Sequence, residues 1–293
     1  KYFTQWLYFF HMPLFLAVSV LYIKDNYNWF FKRASLILIP YLFWFFYGHK
    51  KMLIENPVDF MGGVLMGNWS TLSSIIWFLP TLFSLNLLFF IFNKSNKLFK
   101  YSLITLSFCS FLFASELVEY HYNIPFGIDV AMYLFLVSFL IKLIYENKEI
   151  ILNKINYFTL LLVLVLSSML LFIYEPLKTH TQWHSIIDFA QFSVATTYIG
   201  YLSFVILNIC IFVFFLKLKA NKYFQYIGIY SFPIFLLHLI ILYRLPNYIS
   251  FENSTFSVLF LIVALIASIF LPIIISKILM KISNKFKYIG MIQ

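Results

Sequence analysis

The chain has 293 residues, 62% of them hydrophobic, 22% aromatic and 11% charged, with a mean hydropathy of +0.89. That composition excludes a soluble globule and predicts an all-α, polytopic transmembrane helical bundle forming one integral-membrane domain over residues 1–293. The net charge of +10 does not point to nucleic acid, because the basic residues sit in short clusters between apolar runs, where they orient helices in a bilayer.

Apolar runs separated by turn residues and charge predict nine spans, at about 3–23, 34–48, 73–92, 101–115, 126–145, 157–174, 193–216, 228–243 and 254–279. Runs 34–48, 101–115 and 228–243 are short for a full crossing. Lysines cluster at every second connection. Lys24, Lys32 and Arg33 follow the first run, Lys94, Lys97 and Lys100 the third, and Lys142, Lys148 and Lys154 the end of the fifth. Lys217, Lys219 and Lys222 follow the seventh, and four lysines from Lys277 to Lys287 close the chain. The positive-inside rule makes that side, and the C-terminus, cytoplasmic. Nine spans then place Lys1 outside, and one further helix upstream would return the N-terminus to the cytoplasm. The two longest connections, 49–72 and 175–192, face outside; the first holds Met61 to Gly67 as a re-entrant or interfacial candidate. Cys109 and Cys210 lie inside apolar runs and read as packing residues rather than a disulfide.

Candidate functional residues stand out against this apolar background. Phe10-His11-Met12-Pro13-Leu14-Phe15 puts an imidazole and a proline inside the first run. An ionisable group at membrane depth marks a functional site by default, and a proline frees a backbone carbonyl that another group must satisfy. The competing reading makes His11 a packing contact to a neighbouring helix. Tyr230-Ser231-Phe232-Pro233 through His238 repeats the pairing of proline with histidine, so a shared polar site is the simpler account of the two. Trp77, in Trp77-Phe78-Leu79-Pro80, reads on physics alone as an interface anchor. Asp129 reads first as the N-cap of the fifth span. Lys32 and Arg33 read either as topological charge or as contacts to donor phosphates, for which a guanidinium fork is well shaped. His180 and His184 are four apart with Asp188 four further on, but without a helix or an HExxH pattern they predict no metal site.

Taken in order, Phe10 to Phe15, Lys32-Arg33 leading into Ile39-Pro40-Tyr41-Leu42-Phe43-Trp44, Trp77 to Pro80, Ile124-Pro125-Phe126 through Asp129, and Gly228 through Pro233 to His238 resemble the acyltransferase 3 family of bacterial membrane proteins. The resemblance runs from about residue 8 to 245. It implies about ten spans with cytoplasmic termini, acetyl-CoA or another cytoplasmic acyl-CoA as donor, and a hydroxyl of a cell-surface or lipid-linked saccharide as acceptor. The expected reaction is O-acetylation or a related O-acylation, with no metal and no nucleic acid, in the bacterial cytoplasmic membrane. By position in the motifs, His11 and His238 are the expected catalytic residues, Lys32 and Arg33 the donor contacts, and Trp77 and Asp129 the acceptor contacts. The family's first helix carries an Arg near its start and a His near its end. Neither is in this sequence, so the resemblance implies that it starts at the family's second helix. Ser19-Val20 also stands where the family has Ser-Gly.

Two other classes compete with this reading. A polyprenyl-glycan flippase or solute transporter predicts a charged path through the bundle and internal repeats, and neither is visible. A polysaccharide polymerase or ligase predicts a large basic outer loop, whereas these outer loops are acidic and short. A catalytically degenerate acyltransferase relative fits the same motifs.

Overall fold

In the computed structural model the described residues are 6–7, 9–66, 78–112, 125–174, 197–218, 221–244 and 254–282. Every regular element among them is helical. In chain order these are α1 (His11–Ser19, extended by a 3-10 turn over Val20–Tyr22), α2 (Tyr27–Glu55), α3 (Pro57–Met66) and α4 (Phe78–Lys94). Then come α5 (Lys97–Leu112), a 3-10 turn over Pro125–Gly127 leading into α6 (Ile128–Glu146), α7 (Lys148–Lys154) and α8 (Tyr157–Tyr174). The last four are α9 (Tyr198–Lys217), α10 (Lys222–Ile229), α11 (Ser231–Arg244) and α12 (Ser254–Ile282).

Each of the nine expected apolar runs contains a helix, yet among the described residues five segments are long and apolar enough to cross a bilayer: Tyr27–Glu55, Pro125–Glu146, Tyr157–Tyr174, Tyr198–Lys217 and Val263–Ile282. Phe9–Tyr22 and Phe78–Lys94 are shorter apolar helices. The run at 228–243 is divided, because the helical backbone breaks at Tyr230 between α10 and α11. The candidate re-entrant piece is helix α3. Its start is locally dictated: Asn56 precedes Pro57 at the first helical position, and the Asn56 amide bonds the Asp59 carboxylate while its Oδ1 accepts from Asp59 N–H.

Asparagine sets the starts of the helices that follow the lysine clusters. Asn26 Oδ1 accepts from Asn28 N–H at 2.8 Å, Asn96 Oδ1 from Phe99 N–H at 2.9 Å, and Asn156 Oδ1 from Thr159 N–H at 2.6 Å. Asn221 Oδ1 does the same for Tyr223 N–H at 2.9 Å. Such caps stabilise a helix by about 1 kcal/mol each. Lys97 and Lys222 then begin α5 and α10, against the preference of the helix dipole.

The chain divides into two compact units, residues 1–32 with 48–219, and residues 33–47 with 220–293. Helix α2 contributes to both and departs from helical geometry at His49 (φ −120, ψ 24). In the first unit α6 is the hub, with α1, α4, α5 and α9 packed against it. Ring pairs fix α4 and α6 in parallel register: Phe83 with Phe126 at 6.0 Å, Phe89 with Phe135 at 4.5 Å, and Phe92 with Phe139 at 5.5 Å. Helices α8 and α9 run antiparallel, with Leu160 packed on Cys210 and Val213 and the Tyr157 hydroxyl donating to Lys217 O at 3.1 Å. Ser107 of α5 enters the α6 ladder itself: its hydroxyl donates to Met132 O at 2.7 Å and accepts from Leu136 N–H at 3.1 Å.

One end of this unit collects lysines on neutral partners. Lys94 Nζ lies 3.3 Å from the Tyr27 ring centre, and Lys142 Nζ donates to Asn93 Oδ1 at 3.0 Å. Lys217 Nζ caps the C-terminal carbonyls of the α7 segment, Leu152 O at 2.8 Å and Ile155 O at 2.6 Å. In the second unit α11 packs on α12, and Lys277 Nζ stands 5.1 Å over the Tyr226 ring.

Candidate functional site

Pro13 organises the first candidate element. The chain is helical at Trp6 and Leu7, turns at Phe9 and Phe10, and resumes as α1 at His11. A helix running unbroken through this stretch would need an N–H at position 13 to reach the Phe9 carbonyl, and proline has none. Pro13 therefore falls in the first turn of α1, where it is tolerated, and the first bond of the new helix is Leu14 N–H to Phe10 O at 2.8 Å. The carbonyls left behind are taken by side chains. Asn208 Nδ2, from α9, donates to Phe9 O at 3.0 Å, and both residues are fully buried. His11 Nδ1 lies 3.0 Å from Leu7 O.

A carbonyl oxygen only accepts, so the neutral His11 ring carries its proton on Nδ1 and its basic lone pair on Nε2. The ring is exposed from the protein, which places it in contact with whatever surrounds the chain at that depth. At the far end of α1, Ser19 Oγ donates to Leu16 O at 2.6 Å and lies 3.5 Å from Nδ2 of the buried Asn86 on α4. Two buried amides thus meet the two ends of the His11 helix.

The second element is the corner before α6. Phe126 (φ 58) and Gly127 (φ 61) are consecutive left-handed residues, which only glycine adopts without strain. The Ser84 hydroxyl holds the corner by donating to Phe126 O at 2.8 Å. The N-cap of α6 is Gly127, which makes no side-chain bond to that end. Asp129 is thus not the N-cap residue expected from sequence but a first-turn residue whose carboxylate accepts from the Val130 N–H, because the left-handed pair sets the helix start two positions earlier. Its Oδ1 is buried with no hydrogen-bond partner.

Helix α1, with His11, lies against α6, with Asp129, inside the first unit. Lys32 is exposed in the same unit; Arg33 belongs to the second unit, half-buried, with an Nε that is buried and has no hydrogen-bond partner. His238 falls on α11 in the second unit. Trp77 and the His180, His184 and Asp188 stretch lie outside the described residues. Among the described residues no three His, Cys, Asp or Glu side chains gather as a metal site. Asn86, Asn208, Ser84 and Ser107 are polar contributors that sequence reasoning missed. Their signal was an uncharged hydrogen-bonding residue in the middle of an apolar run.

Apolar helices packed through buried amides and hydroxyls, with a histidine and a carboxylate on contacting helices, define a multi-pass helical membrane protein. Its family is shown by sequence comparison: the acyltransferase 3 family model, described as an acyltransferase domain, matches residues 1–277, and the chain belongs to that family. Comparison with curated proteins and with solved structures gives no match.

Proposed function

We propose that this chain is a membrane-embedded O-acyltransferase that moves an acyl group, most simply acetyl, from cytoplasmic acyl-CoA to a hydroxyl of a cell-surface or lipid-linked saccharide. The family match over 1–277 supports acyl transfer. The observation that carries the site is the Nδ1 contact of His11 to Leu7 O, which puts the basic nitrogen at Nε2. In this reading Nε2 takes the proton of the acceptor hydroxyl as its oxygen attacks the thioester carbonyl, and the thiolate of CoA leaves. The Asp129 carboxylate, with an oxygen that no protein donor meets, accepts a hydrogen bond from an acceptor hydroxyl. Arg33 and Lys32 are assigned to donor phosphates, and His238 and Trp77 keep the catalytic and acceptor roles that their motif positions imply. The setting is the bacterial cytoplasmic membrane, with the C-terminus on the cytoplasmic side.

The test is O-acetyl content of surface polysaccharide, measured by NMR in cells expressing the protein with and without substitutions. Wild type adds O-acetyl groups, and His11→Ala lowers the rate on the order of 100-fold, the usual contribution of a positioned base. Undiminished acetylation by His11→Ala removes His11 from the chemistry. Absence of O-acetyl transfer by the wild type, in hosts offering varied glycans, removes the saccharide assignment.

A further inference from the structure

We propose that Asn208 is a positioning residue for His11, acting through the helix break that Pro13 creates. The inference deepens the proposed function and rests on His11 being its base. Asn208 is separated from Phe9 by 199 residues, yet its amide reaches the one carbonyl that Pro13 leaves without a helical donor. Both contacts of the amide are to carbonyl oxygens, Phe9 O at 3.0 Å and Phe204 O at 2.9 Å. Carbonyls accept only, so the NH2 group must face both, and the side-chain orientation is settled by chemistry. The cost is visible on the other side, where Asn208 Oδ1 is buried without a partner. Asparagine is kept here for its donors.

The consequence reaches His11 along two residues of backbone. Phe9 lies between Leu7, whose carbonyl meets the imidazole, and His11 itself. Phe10 N–H also turns back to Leu7 O at 3.2 Å. Fixing the Phe9 carbonyl against α9 therefore fixes the turn that holds the Leu7 carbonyl under Nδ1. An imidazole whose Nδ1–H is held by a carbonyl keeps its lone pair on Nε2 and in a fixed direction. General packing glue between helices would instead stabilise the bundle without regard to Pro13 or His11.

The experiment uses the full chain purified in detergent and reads carbethoxylation of each histidine by diethyl pyrocarbonate, with peptide mass spectrometry across pH. The reagent attacks the unprotonated nitrogen, so the rate reports His11 directly and requires no acyl transfer. Asn208→Leu is expected to slow His11 modification roughly threefold to tenfold, the scale of one hydrogen bond, with the rate at His49 unchanged. In a Pro13→Ala background residue 13 regains an N–H for the Phe9 carbonyl, and adding Asn208→Leu then changes the His11 rate by less than about twofold. Equal slowing in both backgrounds, a parallel change at His49, or no change at His11 overturns the proposal. Should Asn208→Leu alone not fold, the proposal requires the Pro13→Ala/Asn208→Leu pair to restore folding, and failure of the pair overturns it too. Loss of acyl transfer in all forms with the predicted labelling intact would instead strike the functional reading and leave the positioning role standing.

Discussion

Phe126 and Gly127 hold two consecutive left-handed conformations at the entry to α6, and the two residues bear that geometry unequally. At φ 61, Gly127 has no side chain to clash with its own carbonyl. Gly127→Ala is expected to destabilise the protein by about 1–2 kcal/mol, seen as a lower melting temperature in detergent. Gly62 and Gly228 differ: each is helical, and an added methyl group would meet nothing within 4 Å. Gly62→Ala and Gly228→Ala are each expected to raise stability by roughly 0.5–1 kcal/mol in the same melting experiment. The mislocated cap at Asp129 has its cause at this corner. A carboxylate after Pro and Gly fits a helix start by residue type, but the Phe126 conformation is held by the Ser84 hydroxyl and the Phe83 ring, both on α4. No local reading of residues 124–129 contains that information.

At the level of elements, Ser107 is the sharpest case of one helix editing another. Its hydroxyl bridges the carbonyl and the N–H, Met132 O and Leu136 N, that an uninterrupted α6 would pair with each other. Ser107→Ala lets α6 close its own ladder, so the loss is expected to be modest, about 0.5–1 kcal/mol, as measured for hydrogen bonds between membrane helices. Lys217→Met removes both donors from the end of α7. Faster trypsin cleavage after Lys154, by a few-fold, is the expected readout of its loosening. The positions of most helices were legible because apolar runs alternate with turn residues and lysines; that Asn26, Asn96, Asn156 and Asn221 cap the helices that follow came from the fold. The re-entrant or interfacial candidate at Met61 to Gly67 lies largely within helix α3, whose start at Pro57 stands four residues before the stretch that suggested it. Asn86, Ser107 and Asn208 were not legible as site or packing residues. Hydropathy averages such residues into their runs, and their meaning lies in partners on distant helices. Pro13 illustrates the mixed outcome: that it would leave a carbonyl wanting a donor follows from covalent chemistry, whereas the identity of the donor needed the fold.

For the molecule as a whole, the charge pattern and the packing agree within the first unit. Parallel register places the C-terminal ends of α4 and α6 together, where Lys142 meets Asn93, and Lys217 joins the segment that follows α6. Single cysteines introduced at positions 97 and 148, in a Cys109→Ser/Cys210→Ser background, are expected to react with a membrane-impermeant maleimide only from the lysine-rich side. Cysteine at position 61 is expected to react only from the other side. Labelling of all three from one side would overturn the alternating topology. The lysines at that end also have a kinetic consequence. The partners named for Lys94, Lys142 and Lys217 are a ring, an amide and backbone carbonyls, none of which cancels a charge. Their field therefore extends into the adjoining water over roughly 8–10 Å at physiological ionic strength. A polyanion diffusing past is drawn to that face before any contact forms, so its capture rate, more than its residence time, falls as salt is added.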